Sequence, residues 1–238
     1  MNFTRYPDRR SAGKALVHAL APLMQPDTVV LALPRGGVCV AVEIALAFDA
    51  PLDVFLVHKL APAEMPDQII GAVTSRGVCV LNRAVLQTAE IDPGALAEAI
   101  ACERERVEER EDFYRGVHLS VAIQNRPVVV VTDGIANAIT LRAAIAALRK
   151  QSPSWLMLAA PVGAPDLCEQ LSSEVEELVC PLRPEPFFSI GLSYEQFPRV
   201  SDERVCDLLE EAAQTREKPA DLDFSDIFST SYLGGSRF

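Results

Sequence analysis

Apolar positions along the chain fall into two rhythms that alternate from one end to the other. Leu16, Leu20 and Leu23 recur at helical spacing after Ser11, a good N-cap, and predict a helix from about 12 to 24. TVVLAL (28–33) is instead a short, continuous, β-branched run, the signature of a strand buried on both faces. Val38 to Phe48 then reads as a helix and DVFLVH (53–58) as a second buried strand. A polar Pro/Gly/Ala segment (59–77) leads to VCVL (78–81), a small extra strand expected beside IIGAV. From Pro93 to about Arg115 a long helix carries Leu96, Ile100, Val107 and Tyr114 on a narrow apolar stripe. Its other face, ERERVEERED, is charged; solvation is the plain explanation and a partner-binding face the alternative. PVVVVT (127–132) is the clearest strand, followed by a helix with Leu141, Ala144, Ile145 and Leu148 on one side. WLMLAA (155–160), a helix over 165–173, ELVCPL (177–182) and a helix over 202–213 continue the alternation. Strands separated by helices of this length imply right-handed crossovers and a mostly parallel, doubly wound α/β sheet.

Composition narrows what such a sheet can do. The 238 residues suit one folded domain, taken as 1–218, with a tail over 219–238 that either docks through its aromatic residues or is partly disordered. A chain this long buries roughly 70% or more of its unfolded surface, so it needs no metal or disulfide staple to fold. The net charge is -11, yet residues 1–83 carry eight basic against seven acidic side chains. That distribution lacks the clustered Lys and Arg needed for general nucleic-acid binding. A small anion is better served, at a local site in the first third. Six cysteines never form a C-x-x-C pair and several sit in apolar runs, as reduced core residues do. The polar start MNFTRYPDRR has no signal-peptide core, and no apolar stretch approaches the ~18 residues of a spanning helix. The expectation is a cytoplasmic protein without a membrane segment.

Several chemistries are set aside at once. There is no G-x-S-x-G elbow, no G-x-G-x-x-G opening a helix and no G-x-x-x-x-G-K-[ST] loop, and the three histidines stand apart from any metal-ligand spacing. Three strand ends carry the interest. Leu33-Pro34-Arg35-Gly36-Gly37 turns from strand to helix through two glycines, which lets backbone N–H groups approach an anion; alternatively it is a tight turn with an exposed Arg. His58-Lys59 sets a cation at the next strand end. Thr132-Asp133-Gly134-Ile135-Ala136-Asn137-Ala138-Ile139-Thr140 follows the third strand with an acid, a small-residue loop and a hydroxyl at a helix start. Such a loop suits a ribose at Asp133 and a phosphate at Thr140, or Asp133 merely caps a turn.

In their order, ALPRGG, HKL, TDGIANAIT and PEPFFSIGLSYEQF resemble the type I phosphoribosyltransferases over roughly residues 3–210. The resemblance is narrower still to the bacterial members of unassigned substrate. It implies a Rossmann-like core with flanking helices and a small hood, built here from about 59–80 and 183–200. It implies transfer of a phosphoribosyl group from phosphoribosyl pyrophosphate to a nucleobase-like acceptor; the oligomeric state is open, with a homodimer the default because closed twofold symmetry is commonest among soluble oligomers. Arg35 and Lys59 would meet the pyrophosphate, with Pro34, Gly36, Gly37 and His58 around it, often across a cis non-proline peptide. Asp133 would take the ribose and Mg²⁺, and 130–140 the 5′-phosphate. The segment 60–76 matches a mobile loop, and Phe187 or Phe188 would face the acceptor base.

The chain departs from the family pattern at the signature. The usual pair of acids is Thr132-Asp133 here, and Thr-Gly-any-Thr is Asn137-Ala138-Ile139-Thr140. Ala61 and His58 replace a common Gly and Arg. A Cβ at 138 would be strained if φ were positive there. These changes define the alternative expectation, a non-catalytic homologue acting as a nucleotide-binding regulator or interaction module.

Overall fold

The computed structural model describes residues 5–61, 69–82, 86, 92–116 and 120–217. Five strands form one all-parallel sheet: β1 (Val29–Ala32), β2 (Leu52–Val54), β6 (Pro127–Val131), β7 (Trp155–Ala159) and β8 (Glu177–Val179). Their order across the sheet is β2-β1-β6-β7-β8. Val29 to Ala32 pair in register with Val128 to Val131, so the first and third strands of this sheet lie side by side at its centre.

Each central strand is buried along its whole length because its alternate side chains feed two different layers. Val30, Ala32, Val129, Val131, Met157 and Ala159 pack with α1 (Arg9–Leu20), α2 (Gly36–Phe48) and α6 (Asp202–Glu217). Val29, Leu31, Val128, Val130, Leu156 and Leu158 pack with α4 (Ala138–Arg149) and α5 (Pro165–Ser172). The sheet is therefore covered on both faces, as the continuous apolar runs predict. Fully burying a Leu or Val contributes about 1.5–3 kcal/mol.

A second, smaller sheet is antiparallel: β3 (Val57–Leu60), β4 (Gly71–Thr74) and β5 (Cys79–Leu81). Ala72 opposite Val80 and Val73 opposite Cys79 is the pairing expected for VCVL beside IIGAV. The run 53–58 is corrected here from one strand to parts of two. The main-sheet ladder continues to Phe55, whose N–H donates to Ala32 O at 2.9 Å. At Leu56 the N–H turns to Ser75 Oγ at 2.7 Å and the carbonyl accepts from Ser75 N–H at 2.9 Å, and the chain passes into the small sheet.

α3 (Pro93–Arg115) has the bounds read from its pattern, capped by Asp92, whose carboxylate accepts from Ala95 N–H at 2.8 Å. For α1 the cap is Asp8 rather than Ser11: the Asp8 carboxylate accepts the Ser11 N–H at 2.7 Å, so the helix starts three residues early and ends at Leu20. That backbone bond holds the Asp8 carboxyl below its ordinary range. Residues 6–8 run beside 193–196, with Tyr6 N–H donating to Ser193 O and Glu195 N–H to Tyr6 O. The tail over 219–238 lies outside the described residues, as does part of 60–76.

Candidate functional site at the sheet switch point

In an order of this kind the chain reverses direction across the sheet between β1 and β6, and the crevice outside their carboxyl ends is where open parallel sheets bind ligands. A cleft of about 430 Å³ occupies that place. One wall is Leu33 to Gly36, another Thr132 to Gly134 with Ala136, Asn137 and Thr140, and the roof brings Ile190, Arg199 and Val200.

Asp133 leaves the end of β6 and its Oδ2 accepts from Arg9 Nε at 2.8 Å, a pair in which both side chains are largely buried. The same guanidinium donates to Pro198 O at 2.7 Å and lies 3.6 Å from the centre of the Phe197 ring. One arginine thus joins α1, the signature loop and the roof. Tyr194 completes the joint by donating its hydroxyl to Asp133 O at 2.7 Å. Burial and the Asp133 charge push the Tyr194 phenol up, which keeps it a donor.

Gly36 is needed where it stands. A Cβ there would lie 1.9 Å from Asp133 Oδ2 and 2.9 Å from Arg9 Nε. At Gly37 it would meet Val131 O at 2.7 Å, so this glycine lets α2 start against the end of β6. The Pro34–Arg35 peptide is cis, and no side chain caps α2. Arg35 is exposed and reaches Asp202 only at 3.9 Å. Arg199 makes no ion pair with a described residue. Three arginines against one aspartate line the cleft of an acidic protein.

The loop over 132–140 is ordered by its own contacts. Thr132 Oγ1 donates to Gly134 O at 3.3 Å. Ile135 is fully buried, its N–H donating to Val162 O. Asn137 is the N-cap of α4, its Oδ1 accepting the Ile139 N–H at 2.8 Å. Ala138 opens that helix and is not among the positive-φ residues, which removes the steric objection to a Cβ there. A Cβ on Gly134 would fall 2.7 Å from carbons of Ile190, so the roof rests on this glycine.

Of the residues singled out in the sequence, Pro34, Arg35, Gly36, Thr132, Asp133, Gly134, Ala136, Asn137 and Thr140 share the cleft wall. Gly37, Ile135, Ala138 and Ile139 stand behind or beside it. Lys59 and His58 lie on β3 and are not among the residues lining the cleft; Lys59 is exposed and His58 Nδ1 is 3.1 Å from Glu103 Oε2. Phe187 and Phe188 do not reach the cleft either. Phe187 packs toward Ala12, Val162 and Tyr194, and Phe188 is 75% exposed. Arg9, Arg199 and Val200 are cleft residues not singled out in the sequence, and Ile190 entered only as part of PEPFFSIGLSYEQF. The signal for Arg9 was slight: an Asp-Arg-Arg cluster at a helix start, ordinary for a solvated first turn.

No group of three His, Cys, Asp or Glu side chains is placed to hold a metal ion among the described residues, and the one carboxylate lining the cleft already faces Arg9. The described residues do not make a metal site of their own. No described helix is long and apolar enough to cross a membrane.

The chain resembles known proteins over most of its length. Residues 15–195 match the family model of the phosphoribosyl transferase domain. The chain is 35% identical over 207 residues to provisionally named phosphoribosyl transferases from two strains of Mycobacterium tuberculosis, covering 87% of this chain. It spans about half the length of those relatives, 47% of each. The crystal structure of TT1426 from Thermus thermophilus superposes with a TM-score of 0.78 at 38% identity, covering 87% of this chain and 98% of that one.

Proposed function

The chain belongs to the phosphoribosyl transferase domain family, and from that premise we propose that the switch-point cleft binds phosphoribosyl pyrophosphate and transfers its phosphoribosyl group to a nucleobase-like acceptor. The observation that carries this is the arginine-lined cleft between the Pro34–Arg35 turn and Asp133. In the transfer, the acceptor's nucleophilic atom bonds to the anomeric carbon, whose bond to pyrophosphate oxygen breaks. The electron pair leaves with pyrophosphate and the acceptor's proton passes to water.

Arg35 and the uncapped start of α2 suit the departing anion, which gathers charge in an oxocarbenium-like transition state. Arg199 adds a second cation from the roof. Asp133, held by Arg9 and Tyr194, is oriented for a ribose hydroxyl, and Thr140 with the first turn of α4 for the 5′-phosphate. Lys59 remains a candidate for the pyrophosphate side from β3. Cysteines without a disulfide suit a reducing, cytoplasmic setting, and a twofold dimer is the default assembly.

Calorimetry and thermal shift with phosphoribosyl pyrophosphate and Mg²⁺ test the reading. Ligand at a hundred times its Kd stabilises by about 2.7 kcal/mol, a rise of roughly 5–10 °C in a chain this size. Asp133→Asn should reduce it sharply. No heat and no shift at millimolar ligand would sink the proposal.

A second reading has its own support. Asp133 Oδ2 is engaged by Arg9, and Asn137 Oδ1 occupies an N–H at the α4 start that a phosphate would use. Those contacts suit a non-catalytic binder of nucleotides or of a protein partner. Ligand binding without pyrophosphate release, with any acceptor supplied, favours it; release that Asp133→Asn abolishes favours the enzyme.

A further inference from the structure

A second lobe of about 360 Å³ adjoins the cleft and shares Arg9, Arg199 and Val200 with it. It lies between the start of α1, the start of α6 and the strand-like segment 196–201. Four arginines and one aspartate line it. Two of these arginines are already matched: Arg9 with Asp133, and Arg10 with Glu43 and Glu211. The other two are not. Arg199 has no ion pair with a described residue, and Arg204 has only a loose contact to Asp207 at 3.8 Å, with both side chains exposed.

The acids nearby have other work. Asp8 caps α1 through Ser11 N–H, and Asp202 accepts from Arg110 and from the Tyr114 hydroxyl. Two exposed guanidinium groups, Arg199 without an ion pair to a described residue and Arg204 only loosely paired, thus share one recess of a protein whose net charge is -11. The rest of the lining is uncharged, with Cys39, Pro198, Val200 and Leu208 beside the polar Gln196 and Ser201. Burial pushes the Cys39 thiol up, so it adds no negative charge there.

Neither lobe has an aromatic ring among its lining residues. The nearest candidate, Phe197, has a face covered by the Arg9 guanidinium. A neutral, flat base would therefore find no ring to stack on and would leave both cations unused. An anion bound between them would gain charge-assisted hydrogen bonds that a neutral molecule of the same shape cannot make.

We propose that the acceptor carries an anionic group, a carboxylate or a phosphate, which Arg199 and Arg204 hold in this second lobe while its nucleophilic atom faces the first. The inference rests on the transfer reading above and specifies the class of its acceptor. Arg199, common to both lobes, stands where the acceptor and the departing pyrophosphate meet, and Arg204 selects the acceptor's charge. The covalent step is unchanged: the acceptor's bond to the anomeric carbon replaces the one to pyrophosphate, which leaves with the electron pair as the acceptor's proton passes to water.

Benzoate and benzamide, alike in shape and different in charge, are the probes. Calorimetry on the full chain should show benzoate binding about tenfold or more tightly than benzamide. Arg204→Gln should abolish that preference, and Arg204→Lys should restore part of it. Pyrophosphate titrated into Arg204→Gln should bind as in the natural chain, because Arg204 does not line the first lobe. Equal affinities for the two probes, or a preference untouched by Arg204→Gln, would overturn the inference. If the benzoate preference behaves as expected but pyrophosphate binds nowhere, the anionic subsite stands and the donor-site reading falls.

Discussion

Replacing Gly36 by alanine sets two physical effects against each other. Gly36 is the first residue of α2, and exchanging Gly for Ala in a helix ordinarily stabilises by up to about 1 kcal/mol. Here the new Cβ would sit 1.9 Å from Asp133 Oδ2. To reach ordinary contact near ~3.5 Å, the carboxylate must retreat by about 1.6 Å. The 2.8 Å bond from Arg9 Nε cannot survive that movement. A charged hydrogen bond in a largely buried pair is worth about 1.5–3 kcal/mol, so the net expectation is a loss of about 1–2 kcal/mol. For a domain this long that lowers Tm by roughly 2–8 °C. Calorimetric unfolding of the single variant, of Asp133→Ala and of the double variant separates the causes. With Asp133 truncated, the two nearest obstructing atoms are gone and Arg9 Nε at 2.9 Å is the next, so Gly36→Ala should cost clearly less than in the natural chain. A penalty that adds unchanged in the double variant would refute the steric argument, since contacting residues should couple.

Other expectations follow from the same contacts. Asn137→Ala removes the α4 cap and should cost about 1 kcal/mol by denaturant unfolding; an unchanged midpoint would show the cap to be idle. Gly134→Ala pushes against Ile190 carbons at 2.7 Å, so hydrogen exchange over 190–200 should accelerate while the β6 core stays protected. Tyr114 donates to Asp202, and burial followed by that bond raises its phenol from 10.0 to about 12. A raised pKa means the folded chain holds the proton more tightly. The stabilisation is thus complete below pH 10 and lost as pH rises through about 12. Tyr114→Phe should remove that alkaline component, and a denaturation profile with the same slope in both proteins would count against it.

Much of the fold was legible because its strands are buried on both faces and its helices on one. PVVVVT and WLMLAA have no other stable use, and α3 begins and ends where its Pro and charged face say. The run 53–58 misled because six apolar residues without a turn signal give no hint that Leu56 trades the main sheet for Ser75. The two strand-end turns were readable from their glycines and acid, since local backbone needs dictate those residues. Arg9 was not. Its partners are 124 and 189 residues away, and a pairing at that distance leaves no local pattern. The aromatic pair at 187–188 erred in the opposite direction: two adjacent rings suggest a base platform, but adjacent residues of an extended segment point apart, one to a small core and one to water.

The reach of Arg9 also sets when the cleft comes into being. Its walls are drawn from residue 9, from 33–36, from 132–141 and from 190–200, so no contiguous fragment contains the site. Synthesis delivers the N-terminus first, and contacts of such separation are the slow ones to close. A chain still being translated already holds the β1 turn and Arg35, yet it has neither roof nor a fixed Asp133 until residue 200 has left the ribosome. A ligand of this cleft is therefore expected to leave unaffected any nascent chain from which residues 190–200 have not yet emerged.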